Sequence, residues 1–412
     1  MMVLYPARVS GAARGSSPSG GNDAIVQEIF KSRLQVMTKI SVRASEIKKA
    51  LAEFRGEEAQ VVVRNGAAYL QIGDMLGLDS AKLCFYERRI ADGVDIADTV
   101  MDVDVNDMKV FSKNAREMED LPISGNGSRV EKWWDGAREG QSKLFARLNA
   151  RALRSAMENA TIAADKDGRL YPVLVNILFD ASDGKDLNVV GSDGHVLSAT
   201  KFKGAALGGA GSFLIRAKDT RYLIRSLAKA EEVSIYITGS KWVIFDIDGI
   251  ATYSYIHHCD DKYPDYRGVI RYNVGKETVI FPVSGGAFMS AAKELSLSKG
   301  TSLNIRMDVG SAVTVISYAE NECDNNSLLF RRKIETAGEI ESRGDGMAIG
   351  FAGREFFRFA QCAANFGRAR VELRDQTYPM VAEEGDSLIL LMPRIMDDDE
   401  GFVSEMLDIV NS

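Results

Sequence analysis

The chain has 412 residues, of which 45% are hydrophobic and 26% charged, and its formal net charge is −7 at pH 7. This length exceeds what a single core normally organises and predicts two or three domains. No apolar run reaches the roughly 18–20 residues of a transmembrane helix, so helical membrane spans are not expected. The net negative charge disfavours nucleic-acid binding unless the basic residues are segregated on one surface.

Residues 1–36 are interpreted as an amino-terminal extension that is partly disordered, because residues 8–22 are rich in Gly, Ser and Pro. Within it, residues 27–34 form either an amphipathic docking helix or an ordered extension. The first residues lack an apolar core with a small-residue cleavage site, so a secretory signal is not expected. The four cysteines have no paired spacing, which is typical of a reducing compartment and favours the cytoplasm; they are Cys84, Cys259, Cys323 and Cys362.

A helical pattern recurs along the chain, each time after a short strand-like run and before several runs of period two. The predicted helices begin near Ala44, Asn106, Asn149, Ala217, Ser284 and Ala352. The last four follow one another at intervals of 67 or 68 residues. A fixed period without sequence identity predicts repeated supersecondary units, here of the order β-α-β-β-β. Two units sharing a core make a domain of about 130 residues, so six units predict three domains.

The first pair of units departs from this period. Its helices begin 62 residues apart, and the next helix follows after only 43. The second unit is therefore predicted to be truncated, with residues 121–141 as a loop. The predicted domains are residues 37–142 (shortened and divergent), 143–275 and 276–396, followed by an acidic tail at 397–412.

Basic residues concentrate on the predicted helices. Lys218, Arg221, Arg225 and Lys229 follow one another at steps of three or four, which places them on one helix face. The other helices carry Lys109, Lys113, Arg147, Arg151, Arg154, Arg354 and Arg358. One basic face is commonly just a solvated face, but several related helices sharing it favour a surface that meets phosphates. Such contacts are salt-dependent and independent of nucleotide sequence.

Three segments resemble the middle domain of bacterial DNA polymerase III β subunits, the sliding clamps: "NILFDASDGKDLNVVGSDGHVLSAT" (176–200), "FLIRAKDTRYLIRSL" (213–227) and "YPDYRGVI" (263–270). Two more resemble the last domain of that family, "AIGFAGREFFRFAQCA" (348–363) and "SLILLMPRI" (387–395).

The resemblance covers about residues 143–395 and is weak over 37–142, where only "KISVRASEIKKALAEF" looks similar. It implies an α+β protein with the DNA clamp fold, made of three similar domains of two units each. In that family two subunits close a ring, with helices lining the hole and antiparallel sheets outside. It also implies a processivity factor without catalytic activity or cofactor, which encircles duplex DNA in the cytoplasm, at the nucleoid. The implied partners are double-stranded DNA, a DNA polymerase, a clamp loader, other proteins with clamp-binding motifs and a second copy of the chain.

The resemblance further implies a hydrophobic peptide-binding cleft between the middle and last domains. The matching positions are Leu174, Ser192, Gly194, His195, Leu197, Pro264, Val269, Leu390, Leu391, Met392 and Pro393. Such a cleft keeps apolar side chains at the surface because its ligand is an extended hydrophobic peptide. Val196 and Gly268 stand where the family has basic residues, so a different peptide preference is expected.

Two other functions are weighed against the clamp. A clamp-fold interaction protein or decoy would bind clamp clients without encircling DNA, and the shortened first domain favours it. A metal-dependent hydrolase would use His257, His258 and Asp260, but residues so close in sequence cannot all converge on one ion, and no metal site is predicted. Ser192, Asp193 and His195 lie within one turn, which does not suit a catalytic relay, so no catalytic residue is predicted.

Overall fold

The structure is a computed structural model that describes residues 38–53, 58–73, 83–95, 99–114, 118–123, 142–168, 171–238, 242–256, 262–273, 279–295, 303–319, 327–342 and 347–394. The predicted amino-terminal extension, the His- and Asp-rich run at 257–261 and the acidic tail at 397–412 lie outside these residues.

The described residues of the first two units form six strands and two helices. In chain order they are β1 (Thr38–Arg43), α1 (Ala44–Glu53), β2 (Glu58–Arg64), β3 (Ala67–Gly73), β4 (Leu83–Asp92), β5 (Thr99–Val103), α2 (Val105–Asn114) and β6 (Met118–Ile123).

The third and fourth units follow, with 3-10 turns at Pro172–Val175 and Ala217–Asp219. Their elements are β7 (Lys143–Asn149), α3 (Ala150–Ala163), β8 (Asn176–Asp180), β9 (Leu187–Ser192), β10 (Val196–Phe202), β11 (Ser212–Arg216), α4 (Arg221–Leu227), β12 (Glu232–Ile237), β13 (Trp242–Ile247), β14 (Ala251–Ile256) and α5 (Tyr266–Asn273).

The fifth and sixth units complete the described chain. They comprise β15 (Val279–Ser284), α6 (Gly285–Glu294), β16 (Leu303–Val309), β17 (Val313–Ala319), β18 (Ser327–Ile334), β19 (Glu341–Ser342), β20 (Met347–Ala352), α7 (Gly353–Ala363), β21 (Arg368–Leu373), β22 (Met380–Glu384) and β23 (Ser387–Leu391).

The α+β class and the order β-α-β-β-β are confirmed in five of the six predicted units. In the second unit the described residues contain one strand after the helix, β6. The loop predicted over 121–141 is wrong at its start, because Leu121, Pro122 and Ile123 pair with β1; the remainder, 124–141, lies outside the described residues. The domain boundaries stay a prediction.

Neighbouring units exchange their first strands. β7 of the third unit pairs with β12 of the fourth, and β11 of the fourth pairs with β8 of the third. The same exchange joins β15 to β21 and β20 to β16. Each pair of units is therefore interlocked by backbone hydrogen bonds around a shared core, which gives a layer of helices against a layer of strands.

Antiparallel pairing also connects one pair of units to the next. β4 pairs with β14, and β10 pairs with β23 from Val196↔Leu391 to Thr200↔Ser387. The result is an eight-stranded sheet, β5-β2-β3-β4-β14-β13-β12-β7, and a nine-stranded sheet, β11-β8-β9-β10-β23-β22-β21-β15-β19. A four-stranded sheet, β18-β17-β16-β20, and the two-stranded sheet β1-β6 remain separate.

Six helices form one row, because each packs against the next in the order α2, α1, α4, α3, α7, α6. Small side chains face the neighbouring elements and permit close approach, among them Ala156 and Ala160 of α3 and Ala360 and Ala363 of α7. Within the described part of the chain, no helix has both the length and the apolar character needed to cross a membrane.

The short helix α5 packs on the opposite face of the nine-stranded sheet from this row. Along β8, Ile177 and Phe179 belong to the core beneath the helices, whereas Leu178 belongs to a separate cluster with Tyr266 of α5 and Leu390. Side chains alternate between the two faces of a strand, so both faces of this sheet are covered where β10 meets β23.

Candidate functional site

A cleft of about 910 Å³ opens where α5, the turn at Pro172–Val175, the β9–β10 turn and the end of β23 meet. Its wall includes nine of the eleven predicted positions: Leu174, Ser192, Gly194, His195, Leu197, Pro264, Val269, Leu390 and Met392. These residues come from distant parts of the sequence and are brought together by the pairing of β10 with β23.

The structure does not place Leu391 and Pro393 in the wall. Leu391 is fully buried in the core on the helix side of the sheet, while Leu390 faces the cleft. Leu390 and Leu391 are adjacent in β23 and point to opposite faces of the sheet, so Leu391 is directed away from the cleft. The prediction is corrected at Leu391, and Pro393 lies half-buried just beyond the cleft.

Eight further wall residues lie outside the eleven predicted positions, and four of them are tyrosines. They are Tyr171, Val196, Tyr263, Tyr266, Gly268, Thr377, Tyr378 and Pro379. Helix α5 was not predicted either. Its start does carry a sequence signal, since Asp265 follows Pro264 and its Oδ1 accepts a hydrogen bond from the Gly268 amide at 3.0 Å, as an N-cap does.

Helix α5 is held on the sheet by a buried polar cluster at Asp180. The Tyr266 hydroxyl donates to Asp180 Oδ2 at 2.5 Å, and Arg267 Nε donates to the same oxygen at 3.0 Å. Burial alone would raise the pKa of Asp180, but the hydrogen bonds from Tyr266 and Ser182 and the charge of Arg267 outweigh it and lower the pKa below 3.8. Asp180 is therefore ionised at neutral pH and anchors one wall of the cleft.

The hydroxyls of Tyr263 and Tyr266 stay protonated at neutral pH. Burial raises the pKa of Tyr263, and burial together with the hydrogen bond to Asp180 raises the pKa of Tyr266. These side chains therefore contribute neutral aromatic surface at neutral pH, which suits an apolar ligand.

The opposite wall is the turn from Ser192 to Val196, which is fixed by its own side chains. Asp193 Oδ1 accepts hydrogen bonds from the amides of His195 and Val196 at 2.9 and 2.8 Å, and Gly194 has φ +93°. The His195 carbonyl accepts from the Met392 amide at 2.8 Å. The turn is thus tied to the end of β23, and the His195 side chain is left exposed beside the cleft.

Exposed apolar surface is concentrated at this cleft. Among the described residues, five large hydrophobic side chains are exposed, and three of them, Tyr171, Val269 and Met392, line the cleft with 58%, 41% and 40% of their surface accessible. Clustered exposed apolar side chains mark a binding surface more often than isolated ones do.

Eight of the predicted basic residues are exposed on the helix row or on the turns that flank its helices: Lys109, Lys113, Arg151, Lys218, Arg221, Arg225, Lys229 and Arg354. Arg221 also stacks on the Tyr222 ring, with its guanidinium carbon 4.9 Å from the ring centroid. Arg154 pairs with Glu158 at 2.9 Å, one helical turn away.

Two of the predicted basic positions are corrected. Arg147 lies on strand β7 instead of a helix, and its Nε is 3.5 Å from a carboxylate oxygen of Glu232. Arg358 is buried and forms an ion pair with Asp193, so the prediction that it faces DNA is wrong. Its spacing of four from the exposed Arg354 indicated the same face, but α7 packs against α3 at this point.

The described residues of this arrangement offer binding surfaces. Across the described ranges, no cluster of three His, Cys, Asp or Glu side chains could hold a metal ion. The Asp193 carboxylate is taken by the two turn amides and by Arg358, so it does not orient the neighbouring His195 as a relay requires.

No model of a known protein family and no curated protein matches the sequence. Solved structures do match the fold. The DNA polymerase III subunit beta from Pseudomonas aeruginosa superposes with a TM-score of 0.66 at 16% identity, over 87% of this chain and 100% of that one.

Two further structures agree with this match. The beta subunit from the DNA polymerase of Streptococcus pyogenes gives a TM-score of 0.67 at 12% identity, and DNA polymerase III beta subunit from Thermotoga maritima gives 0.64 at 14%. Each covers 87% of this chain and 100% of the other. Strand order, the helix row and these superpositions agree, and the chain is a divergent protein of the DNA clamp fold.

Proposed function

We propose that the protein is a sliding clamp, a ring that encircles duplex DNA and tethers a DNA polymerase to it. The observation that carries the proposal is the helix row: in a chain of net charge −7, exposed cations gather on α2, α3, α4, α7 and the turns around α4. The densest group is Lys218, Arg221, Arg225 and Lys229. Positive side chains on one surface of an acidic protein suit contact with a phosphate backbone.

The ring would close between two copies of the chain. Within one copy, successive pairs of units are joined by edge-to-edge strand pairing, β4 with β14 and β10 with β23. In the described residues β18 ends the four-stranded sheet and pairs on one side only, with β17. In a homodimer, the unpaired side of β18 would pair with a strand of the second copy in the same edge-to-edge way. This pairing would cover a strand edge that a single copy exposes. The domains of each copy would be residues 37–142, 143–275 and 276–396.

The cleft would receive an extended apolar segment of a polymerase, of a clamp loader or of another client. It combines about 910 Å³ of space with exposed Val269 and Met392 at its rim. An unbranched methionine repacks around different side chains, which suits a surface shared by several partners. The role is one of binding, at nucleoid DNA in the cytoplasm, and it requires no cofactor.

DNA retention and solution mass test the ring. We expect light scattering at micromolar protein to give a mass of two subunits, and we expect the protein to stay on circular duplex DNA loaded with a clamp loader. The triple change Arg221→Ala, Arg225→Ala and Lys229→Ala should abolish retention. A matched triple change outside the helix row, Lys185→Ala, Lys203→Ala and Arg271→Ala, removes the same charge and should leave retention intact.

A decoy that binds clamp clients without encircling DNA is the second candidate. It is favoured by the second unit, whose described residues hold a single strand after α2. For a decoy, light scattering gives a monomer and the helix-row triple change has no effect on any interaction of the protein. Either result would replace the clamp proposal.

Peptide capture tests the cleft. The probe is a panel of eight-residue peptides with two large apolar side chains at varied spacing, read by fluorescence polarisation. Val269→Asp or Met392→Asp should weaken binding by about tenfold or more, because a charge is placed in the apolar wall. Leu207→Asp is the control, since Leu207 is 57% exposed and lies outside the cleft. Equal affinities for all three variants would contradict the assignment.

A further inference from the structure

Arg358 of α7 is a buried cation that lies between two pairs of units. Its Nε and Nη2 donate to the Ile162 carbonyl at 2.9 and 2.6 Å, and Nη2 also donates to the Ala164 carbonyl at 2.7 Å. Its Nη1 forms an ion pair with the Asp193 carboxylate. One guanidinium from the sixth unit thus satisfies three acceptors of the third unit.

The Asp193 carboxylate is shared between Arg358 and the cleft wall. Oδ2 meets the guanidinium, while Oδ1 accepts the amides of His195 and Val196. The side chains of the ion pair are 7% and 10% exposed, so water competes little for either partner. The orientation of this carboxylate therefore determines where the turn from Ser192 to Val196 lies.

The two carbonyls held by Arg358 lead to the other side of the same wall. Ile162 and Ala164 lie at the carboxyl end of α3, where a positive charge is favourable to the helix dipole. The next residue, Asp165, donates its amide to the carbonyl of Leu174 at 2.9 Å, and Leu174 lines the cleft. Arg358 thus lies beneath two segments of the wall without touching the cavity itself.

We infer that Arg358 is a positioning residue for the cleft, which it holds open in its binding shape by fixing the turn from Ser192 to Val196 from the neighbouring unit. The inference rests on the proposed function only for the statement that the shape serves a peptide. The planar guanidinium of Arg358 is essential to this role, because lysine presents a single ammonium and cannot reach three acceptors in this geometry. Without the guanidinium, the buried carboxylate and two carbonyls lose their partner, and the turn moves toward water to hydrate them.

Amide hydrogen exchange of residues 193–196 measures the turn directly, and fluorescence polarisation with the peptide panel measures the cleft. In Arg358→Met the turn amides should exchange roughly tenfold faster and peptide affinity should fall by roughly tenfold, since the buried Asp193 carboxylate loses the guanidinium that pairs with it. Arg358→Lys should give an intermediate result in both. The matched control is Arg368→Met, an exposed arginine whose Nη2 donates to one carbonyl, that of Ala337, at 3.1 Å; it should change neither.

Asp193→Asn keeps the test decisive if Arg358→Met does not fold. Asparagine retains the oxygen that accepts the two turn amides but loses the charge opposite Arg358, so exchange at residues 193–196 should still rise. Unchanged exchange in both Asp193→Asn and a folded Arg358 variant would overturn the inference, whatever the peptides do. The unchanged protein could fail to bind any peptide of the panel while the variants still exchange faster. That combination would support the positioning role of Arg358 and count against the proposed function of the cleft.

Discussion

Tyr266 and Asp180 are joined by a 2.5 Å hydrogen bond between the tyrosine hydroxyl and a carboxylate oxygen, inside the contact of α5 with the nine-stranded sheet. The pair connects the segment "YPDYRGVI" to the carboxyl end of β8. It explains why an aromatic-rich stretch follows a polar run in the sequence: one tyrosine is buried against the sheet, and its neighbours Pro264 and Val269 face the cleft.

Removing this hydroxyl should destabilise the protein. Tyr266→Phe leaves the aromatic packing in place but deprives a buried carboxylate of a donor, which costs about 1.5–3 kcal/mol for a bond to a charged group. Urea unfolding measures the difference. Tyr171→Phe is the control, because that ring is 58% exposed, and its effect should stay within about 0.5 kcal/mol. If both changes lowered the free energy of unfolding equally, the result would contradict the anchoring role of Tyr266.

The effect of Tyr266→Phe should depend on pH. Hydrogen bonds from Tyr266 and Ser182 and the charge of Arg267 outweigh burial, so the pKa of Asp180 in the folded protein is lower than the 3.8 of an ordinary aspartate. A lowered folded pKa contributes stability that is present above the unfolded value and is lost as the pH falls through the folded value. The destabilisation should therefore be larger at pH 7 than below pH 3. Unfolding curves at both pH values give the comparison, and a difference independent of pH would contradict it.

Adjacent glycines at the start of α6 should respond in opposite ways to alanine. A Cβ on Gly285 would lie 2.0 Å from the Phe366 carbonyl oxygen and 2.2 Å from that of Ala363, whereas a Cβ on Gly286 meets nothing within 4 Å. Gly285→Ala should cost about 3 kcal/mol or more, since backbone must move. Gly286→Ala should be neutral or stabilise by up to about 1 kcal/mol. Thermal unfolding of both variants tests the contact between α6 and α7, and similar melting temperatures would refute it.

Arginine at position 268 should alter the charge preference of the cleft. A Cβ there would approach Asp265 Oδ2 to 2.5 Å, so the capping side chain must rotate, at a cost of about 1 kcal/mol. The new guanidinium at the rim should raise the affinity of peptides with an acidic residue relative to neutral ones. Polarisation assays with paired acidic and neutral peptides measure this ratio. Gly268→Gln, of similar shape without charge, should leave the ratio unchanged, and an equal response of the two variants would contradict the expectation.

The thiol of Cys362 should be unreactive in the folded protein. Burial raises its pKa to about 12, the nearby charge of Arg358 offsetting only part of the effect. The thiolate, which is the reactive form, is therefore scarce at pH 8, and alkylation should be roughly a hundredfold or more slower than in urea. Iodoacetamide labelling followed by peptide mapping of residue 362 measures both rates. Comparable rates in the two conditions would show that the contact of α7 with α3 opens readily.

The positions of the main helices could be predicted from local pattern. Five of the six predicted starts fall within one residue of the start of an observed helix, and the sixth, Ala217, begins the 3-10 turn that precedes α4. The agreement arises because amphipathic spacing is a property of neighbouring residues. Helix α5 was missed, since eight residues are too few to show a period and Tyr266 stabilises them from outside. Alternation along β23 is the sequence signal that separates Leu391 from the cleft, because Leu390 and Met392 share one face of the strand and Leu391 the other.

Arg354 and Arg358 have different surroundings although they belong to the same helix. Both lie on α7 four residues apart, and both matched a basic face, yet one is exposed and the other is buried. The difference arises from the packing of α3 against α7, which no local pattern encodes. The same holds for the cleft, whose residues are assembled by the pairing of β10 with β23.

By itself the sequence determined the repeated β-α-β-β-β order, the α+β class and the concentration of cations on helices, because each depends on contacts between residues near one another in the chain. Only the tertiary structure decided which strands are exchanged between units, which side of β23 faces the cleft and which arginine supports it. Those features depend on hydrogen bonds and packing between distant segments. Bringing such segments together costs chain entropy, and this cost is offset only when the whole fold has formed.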